Sequence, residues 1–242
     1  MQLSPAGMPK CAGPHGWCWH WPELPSGSRT MKIPGIEYAG EVEEIGGNVI
    51  SFKKRDAVSG TTTGLSYGGN AEYVCEPETP KHGVITGKPQ GMTFEQAAAA
   101  MVGAMTALRL LERSEIRAGD KVVIHGACGS VGSYAVPLAK HFGAEVTGVR
   151  GTSNLELVRS AGADHMIDYT KEDFTANGQR RDIIFDAVGK LAKSKCTNSL
   201  SSSGRYAFVR RLTSEKVEEL ECVQRLVASG KVQRLRLYPQ TK

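Results

Sequence analysis

The chain has 242 residues, a formal net charge of +5 and 40% hydrophobic residues, enough for one large domain or two modest ones with a real core. Its lysines and arginines are interleaved with acidic residues, which argues against a nucleic-acid partner, since that role wants a dense basic face. The apolar stretches fall far short of the roughly 20 residues of a bilayer helix, and the first 30 residues lack the apolar core of a signal peptide. The expectation is a cytoplasmic protein with no membrane association.

Residues 1–30 bring proline, glycine, Trp17, Trp19 and Trp21 together without helical or strand periodicity, which predicts a loop or partly disordered tail. Cys11, His15, Cys18 and His20 are metal-ligand types, but their spacing fits no zinc motif. Residues 31–92 predict a domain of short strands and turns, anchored by Val42, Ile45, Val49, Phe52 and the segment 71–74. Arg55, just before Asp56, conflicts with its turn if that position needs a positive φ. An alanine-rich helix should start at Thr93, with Glu95 and Gln96 in its first turn, and continue through Leu111.

Within residues 93–230, strands and helices alternate from Lys121 on, which predicts an α/β fold with a doubly wound parallel sheet. Strands are expected near 121–125, 145–149, 164–168, 181–186 and 205–209, and helices near 129–142, 153–161, 190–200 and 214–229. In the last helix Val217, Leu220, Val223, Leu226 and Val227 recur at helical spacing, and Gly230 ends it.

The segment 121–151 carries the chemistry. An apolar strand (Val122, Val123, Ile124) meets a glycine-rich turn, a helix follows, and a second apolar strand returns. Gly126 lets the chain leave the strand in a tight turn, Gly129 lets backbone approach a pyrophosphate, and Gly132 lets helix and strand pack closely. Ala127, Ser130 and Val131 complete the loop, and phosphates would sit on the amides of the helix N-terminus. A carboxylate at the tip of the second strand would bond the ribose of NAD, whereas a cation accommodates NADP. Here the tip offers Arg150 followed by Thr152, Ser153 and Asn154, so NADPH is the expected cofactor. Ala187, Val188 and Gly189 follow a strand carboxyl end, where open α/β sheets bind ligands, and Asp186 reads as a structural hydrogen-bonder. Cys128, inside the turn, reads as a small buried residue, with a helix-lowered thiol pKa as the alternative.

The stretch Pro34-Gly-Ile-Glu-Tyr-Ala-Gly-Glu-Val, then Asn70-Ala-Glu-Tyr-Val, Thr93-Phe-Glu-Gln-Ala-Ala-Ala-Ala, Met105-Thr-Ala-Leu, the turn glycines and Asp186-Ala-Val-Gly189 resembles the zinc-free quinone oxidoreductase branch of the medium-chain dehydrogenase/reductases. The resemblance runs from about Lys32 to Val209. It implies a Rossmann domain joined to a partial GroES-like substrate domain, NADPH in the cleft between them, and hydride transfer to a quinone or related conjugated carbonyl compound. It implies that Thr106 reaches the nicotinamide end of the cofactor and that Tyr169 flanks the adenosine 2′-phosphate; the plainer readings are a helix-interior threonine and a strand-end packing aromatic. Catalytic zinc in the alcohol dehydrogenase relatives needs a histidine where this chain has Ile36, so no metal is expected, and the six cysteines contain no Cys-x-x-Cys pair. No catalytic side chain is assigned; Tyr38 and Tyr73 are candidates only by lying in the substrate domain.

Compared with that family, the chain reads as truncated at both ends, with 231–242 a shortened tail, and as carrying an internal deletion after Val209 that removes the sixth sheet strand. A sheet without that strand exposes an edge, the same edge through which such proteins pair as homodimers. Other readings stay open: a catalytically silent NADPH-binding protein acting with a partner, a zinc-free alcohol dehydrogenase-like or enone reductase, and a misassembled product without a stable fold.

Overall fold

The computed structural model describes residues 2–4, 33–63, 67–209 and 215–232. The Cys11, His15, Cys18 and His20 cluster, the three tryptophans and the tail from 233 on lie outside them. The chain divides into two compact units, one reaching Lys88 and including Thr93–Ala98, the other comprising Pro89–Met92 and the chain from Ala99 on.

The first unit is a five-stranded antiparallel sheet of β1 (Gln2–Ser4), β2 (Glu37–Glu44), β3 (Ala57–Thr61), β4 (Val74–Cys75) and β5 (Ile85–Gly87), in the order β4-β1-β2-β3-β5. Tyr38, Val42, Val58, Val74 and Ile85 form its core, with Phe52 packed against them. Two expectations need correction. Gln2–Ser4 is a strand rather than loop, because its backbone supplies the ladder partner that β2 and β4 each lack on that side. Ile45 is 42% exposed and anchors nothing, since β2 has already ended at Glu44. Arg55 does adopt a positive φ, 73°, with its amide bonded to Val42 O. A side chain in that region costs about 1 kcal/mol.

Thr93 opens α1 (Phe94–Ala99) with a reciprocal cap: Gln96 N–H donates to Thr93 Oγ1 at 3.2 Å and Thr93 N–H to Gln96 Oε1 at 3.1 Å. The helix does not run on to Leu111. It breaks where the chain passes from the first unit to the second, and α2 (Val102–Arg113) begins after the non-helical Met101, ψ −93°.

The second unit is a parallel sheet of β6 (Lys121–His125), β7 (Glu145–Arg150), β8 (His165–Asp168), β9 (Arg181–Asp186) and β10 (Leu200–Phe208), in the order β10-β9-β6-β7-β8. Central strands covered on both faces need continuous apolar runs. Val122, Val123 and Ile124 in β6 and Ile183, Ile184 and Phe185 in β9 supply them, all fully buried. The helices are α3 (Gly132–His141), α4 (Leu155–Ser160), α5 (Lys193–Cys196) and α6 (Val217–Ala228). The expected helix 190–200 shrinks to α5 and one 3₁₀ turn, Thr197–Ser199, because in this polar stretch α5 buries Cys196 alone. Gly230, at φ 72°, ends α6 as expected. No helix among the described residues is long and apolar enough to cross a membrane.

Candidate functional site: the carboxyl edge of the parallel sheet

Parallel register places three chain segments side by side. His125 pairs with Val149 on one side and Asp186 on the other, so the glycine turn, the tip of β7 and the Ala187–Gly189 segment emerge at one sheet edge. The turn is fastened there: the amides of Gly126 and Ala127 both donate to Val149 O, at 3.1 and 3.2 Å. Gly126 has φ 80°, a conformation that side chains resist. A Cβ on Gly132 would collide with Gly126 O and lie 2.9 Å from Ala127 Cα, while one on Gly103 of α2 would lie 2.5 Å from Ser130 O. On Gly129 it would meet only Gly126 O, at 3.3 Å, so that side of the turn faces open space.

The helix starts at Gly132 rather than Gly129. The reason is the turn itself, in which the Gly129 amide folds back onto Gly126 O at 2.9 Å. Ser133 and Ala135 N–H then bond to Gly129 and Val131 O, at 3.0 and 2.9 Å. The first amides of a helix have no partner within it and carry its positive dipole end. A pyrophosphate fits such a cradle.

Asp186 organises the neighbouring loop from a fully buried position. Its Oδ1 lies 2.8 Å from His125 Nδ1 and accepts the Val188 amide at 3.0 Å, and its Oδ2 accepts the Leu191 amide at 2.8 Å and the Tyr206 hydroxyl at 3.4 Å. Burial pushes this carboxyl up, but the hydrogen bonds from His125 and the two amides outweigh it and hold it below its ordinary value. Burial and the nearby Asp186 push the Tyr206 hydroxyl up to about 12. Ala187 N–H bonds to His125 O at 2.9 Å, Gly189 has φ 73°, and Val188, 38% exposed, stands beside Gly126. The structural reading of Asp186 holds. Its partner His125 is a site residue that the sequence reading does not name, and its signal is its place at the end of an apolar strand just before the first glycine.

At the tip of β7, Arg150 pairs in register with Asp168 of β8. Thr152, opening a 3₁₀ turn with Ser153 and Asn154, donates to Asp168 Oδ2 at 2.5 Å. Asp168 Oδ1 also accepts the amide and hydroxyl of Thr170, at 3.0 and 2.7 Å. Hydrogen bonds from Thr152 and then Thr170 hold Asp168 below the usual carboxylate range. The segment 149–154 contains no carboxylate of its own, and parallel register sets Asp168 of the next strand beside Arg150. Tyr169 is 61% exposed rather than packed away, and its ring lies 3.5 Å from where a Cβ on Gly151 would stand. Asn154 O accepts the Cys128 thiol at 3.4 Å, and Asn154 Nδ2 bonds Ser153 Oγ at 3.2 Å. Burial pushes the Cys128 thiol up, with Arg150 opposing, so the helix-lowered alternative is not what the site produces.

Thr106 sits on α2, 6% exposed, one turn beyond Gly103. Tyr38 is a core group: its hydroxyl donates to the buried Glu76, and burial and that carboxylate together push its pKa up. Tyr73 is 49% exposed. Among the described residues, no three His, Cys, Asp or Glu side chains gather as a metal site.

The family described as zinc-binding dehydrogenase matches residues 130–231. The Arabidopsis thaliana chloroplast envelope quinone oxidoreductase homolog is 32% identical over 237 residues, covering 83% of this chain and 70% of that protein. The NADPH-dependent alkenal/one oxidoreductase, chloroplastic, of the same plant is 36% identical over 170 residues, 67% of this chain; the match spans 43% of that longer protein. Among solved structures, the quinone oxidoreductase from Coxiella burnetii superposes with a TM-score of 0.69 at 27% identity, over 83% of this chain and 69% of that one. Sheet order, glycine turn and relatives agree, and the chain belongs to the quinone-oxidoreductase-like medium-chain dehydrogenase/reductases.

Proposed function

We propose that this chain binds NADPH at the carboxyl edge of its parallel sheet and serves hydride transfer to a quinone or related conjugated carbonyl compound, without zinc. The observation that carries the reading is the glycine turn Gly126–Gly132 locked against Val149, with Arg150 at the adjacent strand tip. Bound NADPH would supply a hydride, which carries both electrons to the acceptor, and water the balancing proton. The amides of Ser130, Val131 and Gly132 would hold the pyrophosphate. Arg150, Ser153 and Asn154 would surround the 2′-phosphate, with Tyr169 flanking it. Ala187, Val188 and Gly189, held by Asp186, would carry backbone along the cofactor, and Thr106 would orient its nicotinamide end. Orientation of donor and acceptor is then the main catalytic contribution. Ile36 stands where a zinc ligand would be required, and isoleucine has no lone pair to give. Among the described residues β10 has no second strand partner, and that edge suits pairing of two copies.

The test is titration of the full chain with NADPH and NADH by nicotinamide fluorescence, followed by NADPH oxidation with a panel of quinones and enones. NADPH-selective binding with acceptor-dependent oxidation is expected. Absence of binding to either dinucleotide would overturn the reading, and selective binding without turnover would leave a silent NADPH-binding protein.

A further inference from the structure

The opposite, amino-terminal edge of the same sheet holds a cavity of about 580 Å³ that the hydride-transfer reading does not use. It is built where four adjacent strands begin: Lys121 opens β6, Glu145 β7, His165 β8 and Arg181 β9. Its floor is made by Arg181, Thr147 and Ile167, which are 7%, 6% and 7% exposed. A guanidinium buried to that degree is costly unless it is paired and fully hydrogen-bonded.

Arg181 is neither. Its Nη2 donates to Gln179 Oε1, its Nη1 reaches only Arg180 O at 3.5 Å, and its Nε is buried with no hydrogen-bond partner. Among the described residues it forms no ion pair. The two carboxylates in the cavity wall are engaged elsewhere: Glu145 pairs with His165 at 3.2 Å, and Glu172 accepts the Asn177 amide at 2.9 Å. They lie near enough to favour the charged guanidinium, yet burial still dominates and pulls the Arg181 pKa down. Lys121 and Arg180 add two cations to the wall, and Arg180 is bonded to Leu200 O at 2.8 Å rather than to a carboxylate.

We infer that this cavity is a binding site for a small oxyanion, of carboxylate or phosphate type, which supplies the counter-charge that Arg181 lacks. A planar guanidinium on the floor, with Lys121 in the wall, matches groups that accept through two or more oxygens, the planar carboxylate and the tetrahedral phosphate alike. The site lies at the other end of the strands from the glycine turn, so its occupancy does not compete with a dinucleotide there.

The experiment uses the full chain at constant ionic strength, with inorganic phosphate and succinate as separate probes and chloride as the control. Melting temperature and calorimetric titration are the readouts. A saturable rise in Tm with one or both probes, weakened at least fivefold in Lys121→Gln and lost in Arg181→Met, is the expected result; the more responsive probe identifies the class. Arg181→Met should melt no lower than the wild type without anion, because it removes an uncompensated buried charge. Dinucleotide titrations of the same variants separate this site from the proposed cofactor site, which both variants should leave within twofold. No saturation with either probe, or saturation untouched by both substitutions, would overturn the inference. Should Arg181→Met not fold, Lys121→Gln, an exposed change, still decides the matter.

Discussion

Arg150 and Asp168 set opposite charges at the place where a 2′-phosphate would sit. Asp168 also accepts the Thr152 hydroxyl hydrogen bond, so that hydroxyl is already committed as a donor. The balance between them should therefore govern cofactor choice. Arg150→Gln is expected to weaken NADPH by about tenfold, roughly 1.4 kcal/mol, with NADH changed little. Asp168→Asn should move the NADPH-to-NADH preference the other way, because it removes a negative charge beside the phosphate. Fluorescence titration with both dinucleotides reads the two effects, and equal weakening of both cofactors by Asp168→Asn would mark Asp168 as purely structural. Cys128 offers a related check. Its thiol lies in the turn with its pKa pushed up by burial, so its alkylation should be slow at neutral pH and slower still when NADPH is bound, which peptide mass mapping would report.

At the scale of elements, one carboxylate joins β6, β9, β10 and the loop after β9. Asp186 takes two loop amides, and asparagine would replace one of its two accepting oxygens with an N–H that faces another donor. Asp186→Asn should cost about 1–3 kcal/mol at neutral pH and weaken cofactor binding along with it. The pH dependence has a definite sign. The folded pKa of Asp186 lies below its unfolded value of about 3.9, so its stabilisation is complete above that value and is lost as pH falls through the lower folded value. Thermal melts from pH 7 to pH 2 should show an acid limb that is shallower in Asp186→Asn. An unchanged limb would mean that other carboxylates held below their ordinary value, Asp168, Asp164 and Asp173 among them, carry it instead.

For the whole molecule, the consequential feature is the strand at the end of the parallel sheet. β10 pairs with β9 and has no second strand partner among the described residues, and near its end Phe208, 39% exposed, stacks on Tyr206 with centroids 5.6 Å apart. Such an edge invites a second chain, and a lysine there discourages it. Sedimentation velocity should find the wild-type chain dimeric at micromolar concentration and Phe208→Lys shifted toward monomer. A dimer indifferent to that change would place the contact elsewhere.

The alternation of apolar runs with glycine and polar stretches determined the α/β class, all five parallel strands and the glycine turn, because strand burial and turn geometry are local demands that each segment carries in its own residues. Thr93 and Gly230 likewise announced a helix start and a helix end through cap chemistry that reaches only a few residues. Contacts between distant segments were left to the tertiary structure. It broke the helix from Thr93 after Ala99, beside the point where the chain changes unit, and put Gln2–Ser4 into a sheet that its own composition does not suggest. It also brought Asp168 to Thr152 across 16 residues and His125 to Asp186 across 61. Those pairings depend on parallel register, and register is a property of how strands meet rather than of any one of them.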